Sequence, residues 1–167
     1  MSLRERMRLI RRPDLSDTQG SIDIGSMREE DREDVVKFLE FCNGLSQFVL
    51  ERNIAQQEEG KRSIFVARDG FKIVGRVDLL FNEDRDRNPL IKNLDVLRPY
   101  RRKGIGTSLV SRCIDAARDR NCEAIEIDAK VNNSEAIRIY QKLGFKIVCI
   151  NGFFRMGDSE FRMLREL

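Results

Sequence analysis

The chain has 167 residues, 31 Lys and Arg against 28 Asp and Glu, a formal net charge of +3 and 41% hydrophobic residues. That length suits one domain whose core can form without disulfide or metal staples. Histidine is absent, which excludes Ser-His and Cys-His nucleophile pairs, HExxH zinc sites and carboxylate-histidine relays; an acid or base here is Asp, Glu, Lys, Cys, Tyr or water.

Residues 1–20 carry mixed charge and the breakers Pro13 and Gly20, and read as an extension to a domain over 21–167. Their arginines (Arg4, Arg6, Arg8, Arg11, Arg12) lack the apolar segment of a signal peptide, and no apolar run reaches the roughly 18 residues of a membrane span. No membrane partner is expected. No aromatic residue interleaves with these arginines, and charges of both signs alternate along the chain, which argues against a nucleic-acid partner.

From Ser21 to Met27 the alternation of Ile22 and Ile24 predicts a strand. An acidic lead-in then precedes Val35, Val36, Phe38, Leu39 and Cys42 at helical spacing, and this helix stops at Asn43-Gly44. A second helix runs from Ser46 to Glu59. Ser63 to Ala67 and Phe71 to Phe81 read as strands joined at Arg68-Asp69-Gly70, where Asp-Gly is a hairpin signal. A charged loop, 82–89, leads to a strand over Leu90 to Leu97.

Leu109, Val110, Cys113, Ile114 and Ala117 mark an amphipathic helix; Cys122 to Ala129 is a strand with Ile125 and Ile127 on one face. Asn133 to Leu143 is helical with Gly144 as its stop, and Phe145 to Ile150 and Phe161 to Leu164 are closing strands. Hairpins mixed with helical crossovers imply an α+β domain with a mixed sheet flanked by helices. Cys42, Cys113, Cys122 and Cys149 show no CxxC spacing and sit in apolar or periodic segments, so buried free thiols and a reducing cytoplasm are expected.

Two segments carry chemistry. Leu94-Asp95-Val96-Leu97-Arg98-Pro99-Tyr100-Arg101-Arg102-Lys103-Gly104-Ile105-Gly106-Thr107 runs from a strand through a basic glycine loop into a helix. Such a junction attracts anions, because unpaired N–H groups point outward at the positive helix end and glycine permits close approach. The spacing is that of neither a P-loop nor a dinucleotide GxGxxG. At the end of the next strand follows Asn133-Ser134-Glu135-Ala136-Ile137-Arg138-Ile139-Tyr140-Gln141-Lys142-Leu143-Gly144-Phe145. Read alone, Asn133 is a helix N-cap and Tyr140 a core tyrosine beside Ile137 and Leu143.

Together these segments resemble the GNAT superfamily of N-acetyltransferases, whose signature is Gln/Arg-x-x-Gly-x-Gly/Ala followed by Asn-x-x-Ala-x-x-x-Tyr-x-x-x-Gly-Phe. Arg101, Gly104, Gly106, Asn133, Ala136, Tyr140, Gly144 and Phe145 match in order. The resemblance implies the acyl-CoA N-acyltransferase fold, a mostly antiparallel sheet of about seven strands, and acetyl transfer from acetyl-CoA to a primary amine without a metal. An acyl-CoA-binding sensor without turnover is the alternative.

The resemblance further implies that N–H groups of Arg101, Arg102, Lys103, Gly104, Ile105, Gly106 and Thr107 hold the CoA pyrophosphate. Leu94 and Val96 pair with the pantetheine arm through backbone groups, and Asn133 contacts it. Tyr140 is the acid that protonates the departing thiolate. The base is assigned to Asp128, where members that acetylate protein N-termini commonly carry Glu; Asp95 and solvent are the other candidates. The acceptor, a small molecule or a protein amine, is not identified, and a homodimer is left open.

Overall fold

A computed structural model describes residues 21–43, 47–81, 88–151 and 159–167. The extension over 1–20, the loop after Phe81 and the loop bearing Gly152 and Gly157 lie outside the described residues. The elements are β1 (Asp23–Ser26), a 3-10 turn at Glu29–Asp31, α1 (Arg32–Asn43), α2 (Gln47–Glu58), β2 (Arg62–Asp69), β3 (Lys72–Leu80) and β4 (Leu90–Val96). After a second 3-10 turn at Arg98–Tyr100 come α3 (Ile105–Asp119), β5 (Ala124–Lys130), α4 (Ser134–Lys142), β6 (Lys146–Asn151) and β7 (Glu160–Glu166).

The strands form one seven-stranded sheet in the order β1-β2-β3-β4-β5-β7-β6. Every neighbouring pair is antiparallel except β4 and β5, which are parallel. The α+β class with a mostly antiparallel sheet is the one expected.

β2 and β3 are buried on both faces because both are covered. Val35, Phe38 and Leu39 of α1, with Leu50 and Ile54 of α2, pack on Ile64, Val66 and Ile73. On the other face Ile105, Leu109, Val110, Cys113, Ile114 and Ala117 of α3 pack against Phe65, Ala67, Val77, Leu79, Ile91, Ile125 and Ile127. The 3-10 turn before α1 is tied to β2 by Asp31, which accepts from the Arg28 N–H (2.7 Å), from Arg68 Nε (2.8 Å) and from Arg68 Nη2. Burial opposes ionisation of Asp31, but these donors outweigh it and hold the carboxyl below its usual range.

Three expectations are corrected. The hairpin turns on Gly70 and Phe71, not on Asp69, which still pairs with Lys72 in the ladder. Gly70 supplies the left-handed residue (φ 58) and Phe71 is 98% exposed at the tip. Cys122 precedes β5, because the chain is still turning at Asn121 (φ 56) after α3. Of the four free thiols only Cys113 is buried; Cys42 and Cys122 are half-buried and Cys149 is exposed. β6 is an edge strand with every residue exposed, and its Ile147, Val148 and Ile150 keep about half of their surface in solvent.

Candidate active site

β4 is where the sheet departs from regularity. It pairs with β3 through Leu80 with Leu90, Leu79 with Ile91 and Asp78 with Lys92, and again through Arg76 with Asp95 and Gly75 with Val96. Asn93 and Leu94 therefore oppose the single residue Val77, a β-bulge, and Asn93 takes the left-handed conformation (φ 54). On its other side β4 pairs with β5 only at Leu90 with Glu126 and Ile91 with Ile127. Beyond that point the parallel strands part, and Leu94, Asp95 and Val96 lie outside the β4–β5 ladder.

A cleft of about 480 Å³ occupies this opening. Leu94, Asp95 and Val96 form one wall, and Arg101, Arg102, Gly104, Ile105, Gly106 and Thr107 form a second. Asn133, Glu135, Ala136, Ile139 and Tyr140 close it from α4. Ten of the twelve residues assigned from the sequence to catalysis or acetyl-CoA thus lie together; Lys103 and Asp128 are not in the lining.

The loop before α3 reverses through two left-handed residues, Arg102 (φ 61) and Gly104 (φ 81), before the helix opens at Ile105. It is anchored at its start. Arg101 Nε donates to the Val96 carbonyl (2.8 Å), and the Tyr100 hydroxyl donates to Asp69 (2.7 Å), whose bond, with burial and the nearby charge, raises the Tyr100 pKa. Lys72 and Lys103 sit over the Tyr100 ring at 5.7 and 5.5 Å. The result is a positive concavity of backbone N–H groups at a helix N-terminus, which fits a pyrophosphate.

Asn133 caps α4, its Oδ1 accepting from the Ala136 N–H (3.1 Å), while still lining the cleft. Tyr140 is 6% exposed and meets Phe145 edge-on, with ring centroids 6.2 Å apart. Burial, with the negative charge of Asp95 second, pushes its phenol up to about 12, so the hydroxyl keeps its proton at neutral pH.

Asp128 sits on β5 outside the cleft. Its oxygens accept from Arg162 Nε and Nη2 of β7 and from Lys92 Nζ of β4 (3.2 Å), and Arg162 also donates to Glu126. Sequence reasoning passed over Tyr100 as an anchor and over a buried cluster of Arg62, Arg76 and Asp78 behind β4, which the exposed Asn93 joins from the strand. The available signal was Arg76 and Asp78 standing in an otherwise apolar strand. Among the described residues no helix is long and apolar enough to cross a membrane, and no group of three or more Cys, Asp or Glu could hold a metal ion.

The acetyltransferase (GNAT) family model matches residues 27–145. An N-alpha-acetyltransferase of Sulfurisphaera tokodaii is 31% identical over 121 residues, which are 66% of this chain and 72% of that protein. The N-alpha-acetyltransferase MAK3 of Arabidopsis thaliana is 35% identical over 101 residues, 59% of this chain and 53% of its own length. Among solved structures, a chain of the NatC complex bound to Gag peptide and CoA superposes with a TM-score of 0.72 at 21% identity, covering 87% of this chain and 98% of that one. The ribosomal-protein-S18-alanine N-acetyltransferase of Escherichia coli gives 0.71 at 18%, covering 87% and 93%. The family match over most of the chain shows that the chain belongs to the acetyltransferase (GNAT) family and is an acetyl-CoA-dependent N-acetyltransferase.

Proposed function

We propose that this chain acetylates the α-amino group of a peptide or protein N-terminus, with Tyr140 as the acid. The observation that carries the reading is the placement of Tyr140, buried and neutral, in the same cleft as the phosphate-binding loop and the parted end of β4. The amine nitrogen bonds to the acetyl carbon, the carbon–sulfur bond breaks, and the Tyr140 proton passes to the sulfur while the amine proton leaves to a base. The N–H groups from Arg101 through Thr107 hold the pyrophosphate, Leu94 and Val96 the pantetheine arm, and Asn133 its near end.

An α-amine suits a chain without histidine. Its conjugate acid has a pKa of about 7.7–8.0 against about 10.4 for lysine, so a much larger share is already deprotonated at neutral pH. The base then takes the proton from the attacking nitrogen as the new bond to carbon forms. Asp128 fills the role through a bridging water, since its oxygens already accept from Arg162 and Lys92. Asp95, which shares the cleft with Tyr140, is the second candidate. The relatives named N-alpha-acetyltransferase support the choice of acceptor.

Residues 21–167 are the transferring domain in this reading, 1–20 an extension, and free thiols favour a cytoplasmic location. The experiment is an acceptor screen with peptides bearing a free or a blocked N-terminus and an internal lysine, read by thiol release and mass spectrometry. Acetyl should appear on the α-nitrogen. Product confined to lysine ε-nitrogens, or turnover with polyamines alone, would refute the acceptor class.

A further inference from the structure

Where α2 packs on β2 and β3, polar side chains are buried behind the β4 bulge. Asp78 is fully buried and accepts from Arg76 Nε and Nη2, each at 2.8 Å, from Arg62 Nη1, and from Asn93 Nδ2 at 2.8 Å. Arg62 Nε donates to Gln56 of α2 (3.0 Å). The Asn53 amide of α2, oriented so that both its ends are satisfied, donates to the Val49 carbonyl (3.2 Å) and accepts from Arg76 Nη2 (3.1 Å). Arg76 is 1% exposed, and its Nη1 is buried without a partner among the described residues.

A buried ion cluster is weak ground for stability, because the desolvation of three charges offsets much of their attraction. It is better at selecting one conformation over its neighbours. This cluster lies at the one place where β4 leaves regular pairing with β3. Asn93 holds φ 54 there, a conformation that asparagine tolerates better than most side chains. Leu94, the second residue of the bulge, and Asp95 and Val96 after it line the cleft.

We propose that Asp78 and Asn93 are positioning residues: their hydrogen bond latches the β4 bulge, and Arg62 and Arg76 tie that latch to α2. Leu94 to Val96 are thereby held in one alignment for acetyl-CoA, and the helix pair on the other side of the sheet is held in register with them. Neither residue lines the cleft, and the role assigned to both is positioning. The assignment rests on the cleft being the acetyl-CoA site, which CoA binding by the unaltered chain tests separately.

The test uses the full chain with Asn93→Gly and Asn93→Ala. Glycine keeps the left-handed backbone without strain and removes only the latch; alanine removes the latch and disfavours the backbone. Asn93→Gly should raise the acetyl-CoA KM and the CoA dissociation constant about tenfold and lower the melting temperature by a few degrees, since one hydrogen bond to a buried carboxylate is lost. Asn93→Ala should be worse on both readouts. In a cycle with Asp78→Asn the effects should be non-additive; if that variant does not fold, the two Asn93 variants decide. KM and CoA affinity within twofold of the unaltered chain in both, whatever happens to melting, would overturn the proposal. The CoA titration reads the same whether or not a peptide acceptor is turned over, so its failure is distinguishable from failure of the acceptor assignment.

Discussion

Gly104→Ala and Gly106→Ala should shift the stability of the ligand-free protein in opposite directions and yet both weaken CoA. At Gly104 a β-carbon would meet no atom within 4 Å, so the cost is the backbone alone: φ 81 is left-handed, at roughly 1–2 kcal/mol for an L side chain. Gly106 lies inside α3, and its β-carbon would find only Val96 Cγ2 at 4.0 Å, an ordinary contact. Replacing a helical glycine with alanine gains about 0.5–1 kcal/mol. For a chain of this length 1 kcal/mol moves Tm by about 2–4 °C. Gly104→Ala should therefore melt about 2–8 °C lower and Gly106→Ala about 1–4 °C higher. Each adds a methyl group where pyrophosphate oxygens must approach the backbone, so the CoA-induced shift, worth about 2.7 kcal/mol at one hundred times the dissociation constant, should shrink in both. It should vanish in the double valine variant. Thermal melts with and without CoA read all of this. A double valine variant with an unchanged CoA shift would refute the loop assignment, and a Gly106→Ala protein melting below the unaltered chain would refute its helical placement.

Tyr140→Phe should lower kcat by about 10² to 10⁴, roughly 3–5 kcal/mol of transition-state stabilisation, while CoA affinity measured by calorimetry changes little; near-normal turnover would make it a core tyrosine. The same phenol gives the folded state a pH signature. Its pKa is raised from 10.0 to about 12, so its contribution, on the order of 3 kcal/mol, is present below pH 10 and is lost as pH rises toward 12. Urea unfolding between pH 9 and 11.5 should show a steeper loss in the unaltered chain than in Tyr140→Phe. Asp128→Asn should slow turnover by about 10² near neutral pH, with partial recovery as rising pH deprotonates the acceptor; a flat, unaltered rate from pH 6 to 9 would leave Asp128 a structural partner of Arg162 and transfer the role to Asp95.

The helices were legible because each keeps one apolar stripe, as Leu109, Val110, Cys113, Ile114 and Ala117 do in α3, and all are buried. The strands were legible as runs, with less certainty about faces. Arg76 and Asp78 flank Val77 in β3 and look like the solvent side of an alternating strand, yet α2 covers that side and both are buried. Only the tertiary fold supplies that cover. The cleft was readable because its walls come from two short contiguous segments. Asp128 was placed correctly on its strand, but Arg162, 34 residues away and engaging both its oxygens, carries no local signal of the pairing. The exposure of Cys149 likewise depends on β7 inserting between β5 and β6 and leaving β6 at the edge.

The short seam between β4 and β5 has a consequence for cooperativity. With ladder pairs only at Leu90 and Ile91, the sheet is two blocks, β1 to β4 and β5 with β7 and β6, joined by little backbone bonding, by the shared core under α3 and by the side-chain bonds of Asn88 to Glu126 and Lys92 to Asp128. Native-state hydrogen exchange should resolve two foldons, with amides bordering the seam opening at lower free energy than those at the centre of β2 and β3. A ligand arm lying along Leu94 to Val96 would add the missing rungs, so CoA should raise protection on both blocks together, including β7 residues it never touches.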